Sequence, residues 1–226
     1  KSGAKEAAIA QLTLGVEAFL ALGEGEGQSL CLLQRGVVEI ELARWTDAER
    51  SFRSAAEVAR QVGNQGRVLE ATEFLGKTLE AGRRWAEATE VTEGLLAAYR
   101  QSAPEKVPEL MATLGALYQL QGQLEKAEKT YNEAVALYTE QNRPKEAQGT
   151  RRDLARFFLK THQLAKAETL MTALSKEGLD DLSLAVDHAF AMAQLGRHQE
   201  ALTRLDQLLA RVKDAKLLTL LRSRRV

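Results

Sequence analysis

The sequence predicts an all-α fold, an α-solenoid of antiparallel helix pairs, and three observations carry that prediction. The chain has 226 residues with only 3 Pro and 27% charged residues, which is helix-forming composition. Apolar residues recur at three- and four-residue steps, as in Ile9, Leu12, Val16, Phe19 and Leu20 or Leu114, Leu117 and Tyr118, with no convincing period-2 stretch. Small residues also recur at a fixed distance from one helix to the next.

Breaks at Gly23 to Gly27, Arg44 to Thr46, Gly63 to Gly66, Gly82 to Arg84, Ser102 to Pro104, Gln121 to Gln123, Asn142 to Pro144, Thr161 to Gln163, Gly178 to Asp181 and Gly196 divide the chain into about eleven helices. Their short connections make neighbouring helices antiparallel. The first helix, 4–22, carries Ala8, Leu12 and Gly15 forty positions before Ala48, Phe52 and Ala55, so it reads as the second helix of a partial repeat. Full pairs follow at 29–62, 69–102, 108–141, 148–181 and 182–215. Residues 216–226, with Leu217, Leu218, Leu220 and Leu221, begin a capping or partial helix. Pro104 and Pro144 fit early helical positions, where the missing N–H is harmless, with Ser102 and Asn142 as caps.

The pairs repeat one another, and the whole of 1–226 reads as a single array. A small residue in the first helix precedes an Ala in the second by twelve positions at Gly36/Ala48, Gly76/Ala88, Gly115/Ala127, Ala155/Ala167 and Ala189/Ala201. Successive units are 40, 39, 40 and 34 residues apart. Small residues at a crossing let two helices approach to roughly 8–10 Å. A larger side chain four residues after the second-helix Ala fills the gap: Phe52, Thr92, Tyr131, Met171 or Leu205. Leu114, Gly115, Tyr118, Gly122, Ala127, Tyr131 and Ala134 closely resemble the tetratricopeptide repeat signature. The longer steps resemble that family's long-helix variant. Two units depart from the pattern, with Arg35 before Gly36 and Arg151 and Arg152 before Ala155. The resemblance implies a right-handed superhelix and a non-enzymatic, protein-binding role.

The remaining composition excludes several function classes. Lys plus Arg and Asp plus Glu number 31 each, a balance that lacks the excess of positive charge nucleic-acid binding needs. No run of 18 apolar residues is present, and Lys1 to Lys5 does not lead into a signal-peptide stretch, so no membrane insertion is expected and the expected compartment is the cytoplasm. The single Cys31 makes no internal disulfide and has no basic neighbour to activate it. His162, His188 and His198 lack the spacing of a metal pair and read as structural. Gly23, Gly25 and Gly27 follow no strand and precede no Gly-Lys-Ser/Thr, so they form a turn and not a phosphate loop. Trp45 and Trp85 share a repeat position and read as core, and Arg222, Arg224 and Arg225 as a solvated helix end. No catalytic residue, metal ligand or cofactor is assigned.

The resemblance implies that first helices line a concave groove for an extended or helical peptide. Carried over position by position, the groove residues are Leu33, Val37 and Ile40, then Glu70, Glu73, Lys77 and Glu80, then Ala112, Ala116 and Gln119, then Arg152, Arg156 and Lys160, and finally Phe190. Their character runs from apolar to acidic, small, basic and apolar again. Arg152, Arg156 and Lys160 stand four apart on one stripe, where like charges repel unless Asp153 and Glu146, neighbouring helices or a bound partner answer them. The expected partner is a protein or peptide with acidic residues near the basic stripe. Two other expectations are a regulatory segment of a larger signalling protein, suggested by the missing initial Met, and self-association through the terminal helices.

Overall fold

A computed structural model describes residues 2–178 and 182–211. Among the described residues there are eleven α-helices and no strand: α1 (Ser2–Leu22), α2 (Gly25–Glu41), α3 (Trp45–Gln61), α4 (Gln65–Ala81), α5 (Trp85–Ser102), α6 (Val107–Leu120), α7 (Leu124–Glu140), α8 (Pro144–Lys160), α9 (Leu164–Lys176), α10 (Leu182–Gln194) and α11 (His198–Arg211). A 3-10 turn, Pro104–Lys106, precedes α6. The chain forms two compact units, residues 1–123 with α1–α6 and residues 124–226 with α7–α11. Within each unit, consecutive helices pack side by side. The expected capping helix at 216–226 lies outside the described residues.

Eight of the connections between helices are short because one residue in each enters the left-handed region. Gly23, Gly63, Gly122 and Gly196 do so without strain, whereas Ala43, Arg83, Asn142 and His162 do so with φ of 53–58°. The residue after each of these eight donates its N–H to the carbonyl five residues earlier, as in Arg44 to Glu39 and Arg143 to Tyr138, both 2.9 Å. This closes the end of the preceding helix in a Schellman arrangement. A side chain in the left-handed region costs about 1–2 kcal/mol. Ala43→Gly is therefore expected to raise stability by about 1 kcal/mol in urea denaturation, and an unchanged midpoint would contradict this account.

Three local expectations are corrected. Gly25 and Gly27 belong to α2 and not to a long turn, since a helix tolerates glycine once its neighbours pack. Pro104 opens the 3-10 turn and Ser102 ends α5, so Ser102 caps nothing. Asn142 takes the left-handed turn position, leaving Arg143 before α8, although Pro144 does open that helix. A polar cap is found instead at Asn64, whose side-chain oxygen accepts from the Arg67 N–H at 2.9 Å while its amide donates to Glu26, also at 2.9 Å.

In the first unit the crossing of α2 and α3 is built on Gly36 and Phe52. Phe52 is fully buried, between Ala48 and Ala55, and stacks on Phe74 of α4 with ring centroids 5.3 Å apart. Burying such a ring contributes about 1.5–3 kcal/mol. Arg35, which breaks the apolar pattern, belongs to a polar core: its Nε donates to Ser51 Oγ at 3.0 Å, and Ser51 Oγ donates to the buried Glu39 carboxylate at 2.7 Å. Burial nonetheless pushes the Glu39 carboxyl up, against the Ser51 bond and the Arg35 charge. Trp45 is a correction: it is exposed at the start of α3, while Trp85, at the same repeat position, is half-buried against the core.

In the second unit Ala155, Met171, Leu174, Leu184 and Ala191 form one core cluster and Ala189, Met192 and Ala201 another. Arg151, irregular in sequence, reaches Glu177 at 2.7 Å. A further regularity joins successive pairs through the residue preceding a second helix. Arg44 reaches Glu6 of α1, Arg84 pairs with both Glu49 of α3 and Glu87, and Arg197 reaches Glu168 of α9 at 2.8 Å and Glu200 at 2.6 Å. The arginines are partly exposed and Glu49 and Glu168 are half-buried, so these pairs tie successive helix pairs in register.

Candidate functional site

Helices α8, α10 and α11 of the second unit enclose a pocket of about 860 Å³. Such a volume lies in the range of sites that hold ligands or large side chains. Leu159 supplies one wall from α8, Val186, Phe190 and Ala193 supply the second from α10, and Leu202 and Leu205 the third from α11. Phe190 is 53% exposed, so its ring faces the opening with no packing partner to cover it fully. Its exposure follows from sequence: α10 buries Leu184, Ala185, His188, Ala189, Ala191 and Met192, and position 190 lies off that face.

The polar lining consists of Arg156, Lys160, Ser183, Asp187 and His198. Arg156 Nε donates to Asp187 Oδ2 at 2.8 Å and its terminal nitrogen to Ser183 Oγ at 2.6 Å, so this charge is anchored against α10. Lys160, four residues on and one turn along, is exposed, makes no ion pair among the described residues, and borders the pocket with exposed His198. The pocket can therefore take an apolar group against its walls and a carboxylate at Lys160 without displacing a partner among the described residues.

The structure brings Arg156, Lys160 and Phe190 together. Arg152, the third member of the basic stripe, does not line this pocket; it is half-buried and engages Asp153 at 3.8 Å. Glu146 bonds Arg143 at 3.0 Å and leaves the stripe alone. His198, Leu202 and Leu205 escaped the sequence reading because they lie on a second helix, whereas the carry-over from the resemblance considers first helices alone.

In the first unit, Glu73, Lys77 and Glu80 share a narrow cleft of about 80 Å³ with Tyr99, Lys106 and Glu109. The expected acidic face is largely answered within the protein. Glu73 accepts from Tyr99 and from Lys106 at 2.9 Å; burial opposes its ionisation, but these hydrogen bonds prevail and hold the carboxyl below its usual range. Lys106 sits 4.8 Å from the Tyr99 ring centroid as well. Glu80 is half-buried, and burial raises its pKa against the nearby Lys77 charge. Glu70 is exposed and 3.9 Å from Arg67. Leu33 is buried and Val37 half-buried; with Leu30 and Phe74 they line a shallower depression of about 420 Å³. Ile40 packs half-buried on the core, and Ala112, Ala116 and Gln119 are half-buried on α6. Among the described residues no three His, Cys, Asp or Glu side chains are placed to hold a metal, and no helix is long and apolar enough to cross a membrane.

No protein-family model matches the chain, and a search of curated proteins finds no relative. Solved structures do match. BtubC (BKLC) from P. vanneervenii has a TM-score of 0.72 at 17% identity, covering 91% of this chain and 89% of that one. A Podosopora anserina putative kinesin light chain with nearly identical TPR-like repeats has a TM-score of 0.67 at 18% identity, covering 79% and 92%. YrrB, described as a TPR protein with an unusual peptide-binding site, has a TM-score of 0.61 at 16% identity, covering 93% and 100%. The chain thus has the fold of the tetratricopeptide repeat proteins, an α-solenoid of helix pairs.

Proposed function

We propose that this chain is a protein-interaction module that holds a segment of a partner protein in the pocket formed by α8, α10 and α11. The observation that carries the reading is the pairing of apolar walls, with Phe190 exposed among them, and the unengaged Lys160 at the rim. A partner segment would place a large apolar side chain against Phe190, Leu202 and Leu205. One helical turn away, a carboxylate would meet Lys160, while Arg156 stays paired with Asp187 beside it. Desolvating the apolar contact supplies most of the affinity and the charge selects the partner. The fold is shared with YrrB, whose description names a peptide-binding site, and this supports the same class of role.

The test is to pan a random peptide library on the chain and compare it with the Lys160→Glu and Phe190→Ala variants. The wild-type chain is expected to enrich peptides with Asp or Glu within one turn of a large apolar residue. Each substitution should weaken these peptides about tenfold or more, as loss of an interface anchor does, while leaving the helical signal intact. Enriched peptides that bind both variants as tightly as the wild type would overturn the assignment.

A further inference from the structure

The last two helix pairs repeat one another at a step of 34 residues, and the step holds for whole helices. Helix α9 begins at Leu164 and α11 at His198; α10 begins at Leu182, so the next first helix in the same frame begins at Lys216. Three contacts seat α10 on the pair before it. Arg156 of α8 donates to Ser183 at 2.6 Å and to Asp187 at 2.8 Å. Leu184 is fully buried in one cluster with Ala155 and Met171. His188 Nε2 lies 3.2 Å from Thr172 Oγ1 of α9.

Advanced by 34 residues, each contact recurs with both partners changed together. Arg156 becomes Phe190 while Ser183 and Asp187 become Leu217 and Leu221, so a polar clasp is replaced by an apolar one. Leu184 becomes Leu218, and its neighbours Ala155 and Met171 become Ala189 and Leu205. His188 and Thr172 become Arg222 and Asp206, two opposite charges. The residues awaiting these partners are those the pocket leaves open: Phe190 is 53% exposed, and Leu205 is half-buried where Met171 is sealed. Within a repeat array each unit is closed by its neighbour, which makes the neighbour's register predictable. We infer that the segment 216–226 of this chain is the pocket's own occupant, a helix seated on α10 and α11 as α10 is seated on α8 and α9. Leu217 and Leu221 then flank the Phe190 ring, and a partner segment must displace them to enter. The seating follows from the register; the competition rests on the partner reading proposed above.

The full chain carrying Cys31→Ser and Ala193→Cys places one small thiol in the pocket, and its alkylation by a maleimide reads whether the pocket is covered. Adding Leu217→Ser and Leu221→Ser should speed alkylation about tenfold or more while the chain keeps its cooperative unfolding. Arg222→Asp should also speed it, and Asp206→Arg placed on Arg222→Asp should restore protection, which a merely apolar collapse would not do. The competition is read with the peptides enriched on the pocket: on the chain with Cys31 and Ala193 intact, Leu217→Ser with Leu221→Ser should tighten their binding about tenfold. Alkylation equally fast with and without the leucines, or a charge swap that restores nothing, would overturn the seating whatever the peptides do. Slow alkylation beside peptides indifferent to the leucines would uphold the seating and overturn the shared partner site, so the two readings fail separately.

Discussion

Gly36→Ala is expected to destabilise the chain by about 1–3 kcal/mol, whereas Gly76→Ala, at the same position of the next repeat, is expected to stabilise it by about 0.5–1 kcal/mol. Both glycines lie inside helices, where alanine is intrinsically preferred, so propensity alone predicts a gain at each. The crossing partner decides otherwise at the first. A Cβ on Gly36 would lie 2.6, 2.7 and 2.9 Å from three ring carbons of Phe52. That ring is fully buried and stacked on Phe74, so it has no rotamer to retreat to. At Gly76 the nearest atoms are Val91 Cγ1 at 3.6 Å and Thr92 Oγ1 at 3.8 Å, ordinary contact distances. Thr92 is the counterpart of Phe52, and its smaller side chain leaves room for the methyl group. Urea unfolding of both single mutants checks the opposite signs. Phe52→Leu placed on Gly36→Ala should cost less than Phe52→Leu alone, because the ring that clashes is gone; additivity of the two would refute the steric account.

This contrast marks where the sequence is sufficient. The twelve-residue spacing of small residues reveals the helix pairs and which faces cross, because crossing distance depends on side-chain size at a fixed position. It does not tell which glycine is indispensable, since that depends on the size of a partner in another helix. The irregular arginines follow the same logic. Arg35 and Arg151 break the apolar period because their partners, Ser51 and Glu177, are brought alongside only by the fold. Within the candidate site, Arg156, Lys160 and Phe190 were legible as one face of successive first helices. The wall contributed by α11 was not, and neither was the neutralisation of Glu73 by Lys106, which depends on the 3-10 turn after α5.

His188→Leu is the second large effect expected, and it depends on pH. His188 stands just before Ala189, where three other repeats have Leu75, Leu114 and Leu154, and all four side chains are buried. Its Nε2 lies 3.2 Å from Thr172 Oγ1 and 3.7 Å from Glu168 Oε1, while Nδ1 is buried with no hydrogen-bond partner among the described residues. Burial, reinforced by the Arg204 charge, pushes the imidazole pKa down; Glu168 pulls it up and Arg197 down again, with the net direction downward. The folded chain therefore holds His188 neutral at a pH where the unfolded chain has begun to protonate it. Stability is complete above the unfolded value of about 6.5 and is lost as pH falls from there toward the depressed folded value, at up to about 1.4 kcal/mol per pH unit. Leucine removes both the titration and the unpaired nitrogen, which itself costs about 1–3 kcal/mol when buried. Glu168 keeps Arg197 and Thr172 as partners, so no new buried charge is stranded. The variant should be more stable than the wild type at neutral pH, and the difference should widen as pH drops below 6.5, where the acidic groups common to both chains cancel. Denaturation midpoints across that range that run parallel for the two chains would show that His188 is not the group being titrated.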